Sequence, residues 1–386
     1  FIIRDFCFVN IDGLSKEYEH KRICVLNKIL SADFEVLIVP IEAALTYTIP
    51  PHVLQKRRFR LEKGQKITPD VICAELISCG YEKSDKVDGI GQFSLRGGIL
   101  DVFSPNHTLP VRVDFFGDEI ENLYTFSTQS QRSINSLEKT EIIPAREILI
   151  TDAASVSTKI KQTSDSIKNK NPKAAEILKN EAENISQHIS ISSLDKFINV
   201  VYPEKAKFFD YISDDIMVFV SETAKITETV NVLGMKWKED MNTYFLDGVL
   251  CAGFDDYMAD INYLDELLSK KKTTYMDVFV HNNYKLSPKE IINFNAYKLP
   301  PWKGEIDPLI KDVNAVTASG GKVLLLAGNE KFAKMLARDI KNHDINAVFL
   351  KDCSQLAPKQ VVVTEGGLSA GFRYQGSSVS VISYGK

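Results

Sequence analysis

Gly91–Ser133 reads GQFSLRGGILDVFSPNHTLPVRVDFFGDEIENLYTFSTQSQRS. Apolar residues recur there at a period of two, at Phe93/Leu95, Leu100/Val102 and Val111/Val113/Phe115. Gly97-Gly98, Ser104-Pro105-Asn106 and Gly117-Asp118 separate the runs. That period with turn chemistry at each break predicts an antiparallel meander. Two arginines fall outside the pattern. Arg96 stands at the Gly-Gly hairpin, and Arg112 stands inside a strand, close to Phe116 at the next turn. A sheet that merely buries one face requires neither.

Upstream of the meander, Thr68-Pro69-Asp70 is a helix start, with threonine as cap and proline at the first helical position. Val71, Ile72 and Leu76 give that helix an apolar face, and Gly80 suits a left-handed stop. Cys73 and Cys79 read as small core residues. Residues 51–141 are thus expected to form one helix against one antiparallel sheet, an α+β domain inserted into another domain. The basic run Lys56-Arg57-Arg58-Phe59-Arg60 reads as the solvated face of an entering strand rather than a phosphate-contacting strip, since Glu62 follows and Phe59 is its one aromatic.

The flanks have another texture. In residues 1–50, Glu17, His20 and Arg22 mark the polar side of a helix whose apolar side is Ile23, Leu26 and Leu30. Val36-Leu37-Ile38-Val39 reads as a short strand buried on both faces, as in parallel sheets. Beyond Pro144, Ala153, Val156, Ile160 and Ile167 fall at helical spacing, and Asn171-Pro172 starts a second helix with Leu178 and Ile185 inward. The lysines of this stretch are interleaved with acids, as on a solvated face. Ile216–Val220 reads as another buried strand, ending at Ser221-Glu222.

In a nucleotide hydrolase, that strand end carries an Asp-Glu pair that holds Mg²⁺ and polarises water. Serine occupies the first place here. The chain contains no GxxxxGK[ST] and no GxGxxG, and Gly320-Gly321-Lys322 and Gly366-Gly367 read as turns. Lys270-Lys271-Lys272 and the polar stretch to about Pro301 read as a boundary. A small α/β domain follows over 290–386: strands at Val323–Leu326, Ala347–Leu350, Val361–Val363 and Val379–Ile382, and a helix capped by Asn329 with Phe332, Leu336 and Ile340 inward.

Composition bounds the function classes. With 386 residues, two to four domains are expected. A net charge of -4 and a pI near 6.0 give no global field toward nucleic acid or an anionic membrane. Six cysteines without CxxC or Cys/His spacing suggest neither zinc nor a disulfide framework, and a reducing cytosol fits them. No apolar run approaches the roughly 20 residues of a membrane helix. The first residue is Phe1, so a piece of something longer is expected.

RGG-ILD, FFGDEI and TQSQRS in that order, with EIIPARE after them, SKEYEHKRICVLNKIL before and VVVTEGGLSAGF near the end, resemble the N-terminal region of the bacterial transcription-repair coupling factors (Mfd). The likeness to UvrB is more distant. The resemblance implies a UvrB homology module: a helicase-like, parallel-sheet α/β domain (1–50 and 142–285), an inserted UvrA-binding α+β domain (51–141) and a third α/β domain (290–386). It also implies that ATP and Mg²⁺, RNA polymerase and double-stranded DNA are handled by domains absent here. Ser221 and Glu222 would then be the remnant of a nucleotide site in a non-catalytic, cytoplasmic module that contacts a C-terminal domain of its own protein.

In the family, the inserted domain docks onto UvrA, at motif positions that correspond to Arg96, Arg112 and Phe116. Pairing of the two arginines with Asp101, Asp114 or Glu119 inside the sheet is the alternative account of their charges. The competing functional reading is a UvrB-type, damage-verifying ATP-dependent helicase subunit, which requires a phosphate loop upstream of Phe1.

Overall fold

The meander forms. In a computed structural model that describes all residues but 12, 190, 281–283, 285–286, 354–355, 375–377 and 385–386, strands Gln92–Arg96, Ile99–Val102, Val111–Phe116, Glu119–Phe126 and Ser133–Leu137 pair antiparallel in chain order. The short strand Glu82–Lys83 adds in parallel at the first edge. Alternation sends Phe93, Leu100, Val102, Val111, Val113 and Leu123 to one face, where they bury against Ile72 and Leu76 of the helix Pro69–Ser78. Each such side chain contributes about 1.5–3 kcal/mol on burial. Gly80 takes φ +82° just past this helix, and a Cβ there would lie 2.7 Å from Cγ of Arg146, so the close approach needs glycine. The chain enters and leaves the domain through one antiparallel pair, Phe59–Glu62 against Lys139–Ile142.

The basic run divides between the helix Pro51–Arg57 and the entering strand, and its three arginines have local partners. Arg57 donates to Glu75 and Ser78, Arg58 donates to Ser31, and Arg60 lies 3.9 Å from Glu141.

The fold is α/β and multidomain, and it divides into two compact units, 1–286 and 287–386. Around the inserted domain, the first unit has its own apolar core, built on the helix Glu17–Leu30, the helical hairpin Ala153–Ile167/Pro172–Ser186 and the segment after it. Asp152 and Asn171 cap the hairpin helices by accepting from Ser155 N–H and Ala174 N–H.

Three expectations for this unit are corrected. Residues 36–39 form no strand; Val36 and Ile38 face solvent, and the backbone bond here is from the Phe1 amine to the Ile38 carbonyl. The strand Met217–Ser221 forms but is not buried on both faces, because among the described residues its one sheet partner is the parallel strand Lys272–Met276. Met217 and Phe219 are exposed. The unit ends at residue 286, within the stretch from Lys270 to about Pro301 read as a boundary. Finally, His20 and Arg22 are buried, not solvated, and for Arg22 the reason is a carboxylate 125 residues away that receives its guanidinium.

That carboxylate is Glu147. Its Oε1 accepts from Arg22 Nε at 2.6 Å, and its Oε2 accepts from Arg4 Nη1 at 3.0 Å and Thr48 Oγ1 at 2.7 Å. Arg4 also donates to Asp195 at 2.5 Å, and Arg22 to the Ile2 carbonyl at 2.6 Å. Burial opposes the charge on Glu147, but Arg22 and Arg4 outweigh it and hold the carboxyl below the usual carboxylate range.

The second unit is one six-stranded sheet. Its parallel part runs Val379–Ser383, Lys322–Leu326, Val361–Thr364, Ala347–Phe349 across the sheet, with Gly371–Tyr374 and Ala296–Leu299 added antiparallel beyond Val379–Ser383. Asn329 accepts from Phe332 N–H at 2.9 Å and caps the helix Glu330–Lys341, which buries Leu336 and Ile340. The helix Ile306–Ala318 completes the core with Leu309, Val313 and Val316.

Candidate docking face

With the helix Pro69–Ser78 on one face of the meander, the other face is left for polar work. The register aligns Ser94, Asp101, Arg112 and Tyr124 across four strands, and Arg96, Ile99, Asp114 and Asn122 in the next row toward the hairpin ends. Phe116 follows Asp114 by two residues on the same face. The Gly-Gly turn makes this end of the sheet. Gly97 takes φ +59°, and Gly98 lets its neighbour in: its carbonyl accepts from Phe115 N–H at 2.8 Å, and a Cβ on it would lie 3.1 Å from Phe115 O.

Asp101 has no exposed surface and serves both arginines. Arg112 forks onto it, Nε to Oδ1 at 2.7 Å and Nη2 to Oδ2 at 2.8 Å, and Arg96 Nη2 reaches the same Oδ2 at 2.8 Å. The third nitrogen of Arg112 donates to the Gln131 carbonyl at 3.1 Å, and its guanidinium lies 4.6 Å above the ring of buried Phe126. The hydrogen bonds to Asp101 raise the Arg112 pKa, against burial. Its side chain is 15 % exposed, that of Arg96 is 50 % exposed, and Phe116 is 78 % exposed. Ile99 is exposed between Arg96 and Asp114. Asp114 has its pKa raised by burial, an effect that Arg112 opposes, and its Oδ1 has no partner among the described residues.

The three residues named from the sequence therefore share a face but differ in availability. Arg96 and Phe116 present themselves to solvent at one end of the sheet; Arg112 is committed to Asp101. Of the acids considered as internal partners, Asp101 is the one that both arginines reach. Sequence reasoning did not give TQSQRS a mechanical role, and the structure does. Gln131, at φ +58°, donates to the Thr128 and Val87 carbonyls while its own carbonyl holds Arg112. The motif is a latch over one end of the arginine row.

Ser221 and Glu222 lie elsewhere in the same unit. Glu222 takes φ +57° as the residue before the helix Thr223–Leu246, and its N–H bonds to the Met276 carbonyl at 3.0 Å. The helix start is occupied from within the chain: Asp277 accepts from Thr223 N at 2.6 Å and Thr223 Oγ1 at 3.1 Å. A carboxylate thus sits where a helix N-terminus would otherwise receive an anion. Among the described residues, no group of three His, Cys, Asp or Glu side chains is placed to hold a metal ion, and no helix is long and apolar enough to cross a membrane.

A cleft of about 1100 Å³ separates the helix Glu17–Leu30 from the start of the meander. His20 and Arg146 line it, each with a buried ring or guanidinium nitrogen, Nε2 and Nε, that has no hydrogen-bond partner among the described residues; Glu19 Oε2 lies 3.7 Å from Arg146 Nε. His20 Nε2 would lie 3.1 Å from a Cβ on Gly91, so glycine is needed there too. Burial first, then Lys16 and Arg146, lower the His20 pKa to about 4 and keep the ring neutral.

Residues 59–148 match the UvrB interaction domain family. Over 96 % of its length, the chain is 26 % identical to a transcription-repair-coupling factor of Bacillus subtilis, and over 99 % it is 23 % identical to one of Staphylococcus epidermidis. A shorter stretch of 119 residues is 40 % identical to the factor of Myxococcus xanthus. The chain spans about a third of the length of the first two, 32 % and 33 %.

Proposed function

Taking its kinship with the transcription-repair-coupling factors as premise, we propose that this chain is a non-catalytic docking module that recruits UvrA through the open face of its meander. The observation that carries the reading is the exposed pair Arg96 and Phe116 at one end of that face, inside the span that matches the UvrB interaction domain. An arginine with donors to spare beside an exposed aromatic ring is the usual makeup of an interface hot spot. In the longer protein, recruitment would bring the excision machinery to stalled RNA polymerase in the bacterial cytoplasm. ATP, Mg²⁺ and double-stranded DNA would be handled by other domains, and a C-terminal domain of the same polypeptide would contact this module. The Asp277 cap at the helix after Ser221-Glu222 supports a role without nucleotide hydrolysis, since the anion position is filled by the protein itself.

The test is a titration of UvrA against the chain and against Arg96→Ala and Phe116→Ala, with folding followed by circular dichroism. Wild type binds, and both folded variants bind at least tenfold more weakly, on the order expected when a hot spot is truncated. No binding by wild type, or equal binding by both variants, rejects the reading. A parallel ATPase assay with and without DNA is expected to show no turnover, and turnover would reject the non-catalytic assignment.

A further inference from the structure

The cleft between the helix Glu17–Leu30 and the start of the meander is a second place where the first unit leaves polar chemistry unfinished. Lys16, His20, Cys24 and Lys28 stand four residues apart, so they make one stripe along this helix and its entry, and all four line the cleft. Ile90, Gly91 and Arg146 line it too. His20 is 8 % exposed, and its Nε2 has no partner among the described residues; a polar atom left in that condition inside a protein is costly. Gly91 keeps open the position beside it, since a Cβ there would stand 3.1 Å from Nε2.

Two cations converge on the same point. Arg146, against Gly80, has its Nε unbonded at 3.7 Å from Glu19 Oε2 and donates from Nη1 to the Ile191 carbonyl at 3.4 Å. Lys16 gives one of the three donors of its ammonium to Glu82. After burial, Lys16 and Arg146 are what lower the His20 pKa, with the Ala145 backbone and Glu82 acting against them, so both cations are within electrostatic reach of the ring. Nε2 of a neutral imidazole is a donor in one tautomer, and guanidinium, ammonium and imidazole N–H are together the donor set of an oxyanion. Apolar surface adjoins them. Ile90 precedes Gly91 and is 40 % exposed, and Cys24 is one turn along the helix from His20.

We propose that this cleft binds a small organic anion, with its carboxylate or phosphate head among His20, Arg146 and Lys16 and its apolar body over Ile90 and Cys24. A volume of about 1100 Å³ is ample for a ligand of that kind. The hairpin end of the meander is outside the lining, so the site stands apart from the docking face and does not rest on it.

The test is a titration of the chain with phenyl phosphate, benzoate and inorganic phosphate, with benzamide as the uncharged control, followed by NMR at the Gly91 amide and the His20 ring. At least one of the two organic anions is expected to saturate with a Kd of about 1 mM or tighter. Whichever binds more tightly names the head, and either result supports the site. Inorganic phosphate, which has no apolar body, is expected to bind on the order of tenfold more weakly, and benzamide is expected not to saturate. Arg146→Lys shortens and narrows the donor, and Ile90→Glu places a carboxylate at an exposed position beside the head; each is expected to weaken binding on the order of tenfold. Ile90→Glu keeps the test intact where circular dichroism shows Arg146→Lys unfolded. Lys28→Gln changes the net charge of the same cleft by as much as Ile90→Glu, but about 12 Å along the helix from His20, and is expected to leave the affinity within about twofold.

Absence of saturation with both organic anions overturns the proposal. Benzamide or inorganic phosphate binding as tightly as they do also overturns it, as does a loss with Lys28→Gln equal to that with Ile90→Glu, which marks diffuse attraction in place of a built site. UvrA docking is measured separately and is untouched by any of these results.

Discussion

Two places in the first unit set a pair of arginines on one carboxylate with no exposed surface, and they differ in closure. Around Glu147, Arg4 and Arg22 are both enclosed, and the remaining acceptors go to Thr48 and, through Arg4, to Asp195. Around Asp101, one arginine is mostly enclosed and the other is half in solvent, with Ile99 and Phe116 exposed beside it. The closed cluster ties the first residues to the helix Glu17–Leu30 and to the segment after the inserted domain, so its work is internal. The open one has the same chemistry with one side unfinished. Closure, rather than residue type, separates an ion cluster sealed within a core from one that leaves guanidinium donors in solvent.

The contrast breaks first at Glu147. Glu147→Gln leaves two buried guanidiniums short of their counter-charge and is expected to cost about 3–5 kcal/mol, read as a lower urea midpoint at pH 7. Acid separates the contributions further. The folded Glu147 carboxyl is depressed, so its stabilisation is present above the unfolded value of about 4.3 and is lost as pH falls through the lower folded value. His20 titrates at about 4 in the fold, against about 6.5 unfolded, so its stabilisation is present above about 6.5 and is lost as pH falls toward 4. Denaturation midpoints from pH 7 to 3 are expected to fall in two stages. His20→Gln removes the upper stage and Glu147→Gln the lower.

Asp101→Asn tests the open cluster, where water can rescue Arg96 but hardly Arg112. A loss of about 1–3 kcal/mol is expected, below that of Glu147→Gln, in the same urea measurement. An equal loss at both sites would show that openness does not matter to stability. Phe116→Ala is the smallest change: thermal unfolding within about 0.5 kcal/mol of wild type, alongside the loss of UvrA affinity described above. A large stability effect at Phe116 would make it a core residue and remove its place in the docking face.

What was legible in the sequence was local. Period-two alternation with Gly-Gly, Ser-Pro-Asn and Gly-Asp breaks gave the meander and its apolar face, and the Asn329 and Asn171 caps gave two helix starts. The apolar runs at 36–39 and 216–220 misled, because such a run specifies what a strand can bury and not which neighbours cover it. Arg22 misled for a different reason. Its position in the helix is polar by spacing, and nothing within one turn announces that Glu147 will come to it. At the candidate site, Asp101 was among the acids considered as internal partners, but no spacing rule says that one carboxylate will carry both arginines. That follows from register, which places Asp101 directly opposite Arg112, with Arg96 reaching it across the hairpin.

The pair Phe59–Glu62 and Lys139–Ile142 has a further consequence. A polypeptide that enters and leaves a domain along two adjacent hydrogen-bonded strands has its cut ends side by side, and the domain they enclose has an apolar core of its own. Such a segment is a cassette: it can be excised at one doorway and spliced into the surface loop of an unrelated scaffold. The open face with Arg96 and Phe116 would then travel with it as a transplantable part.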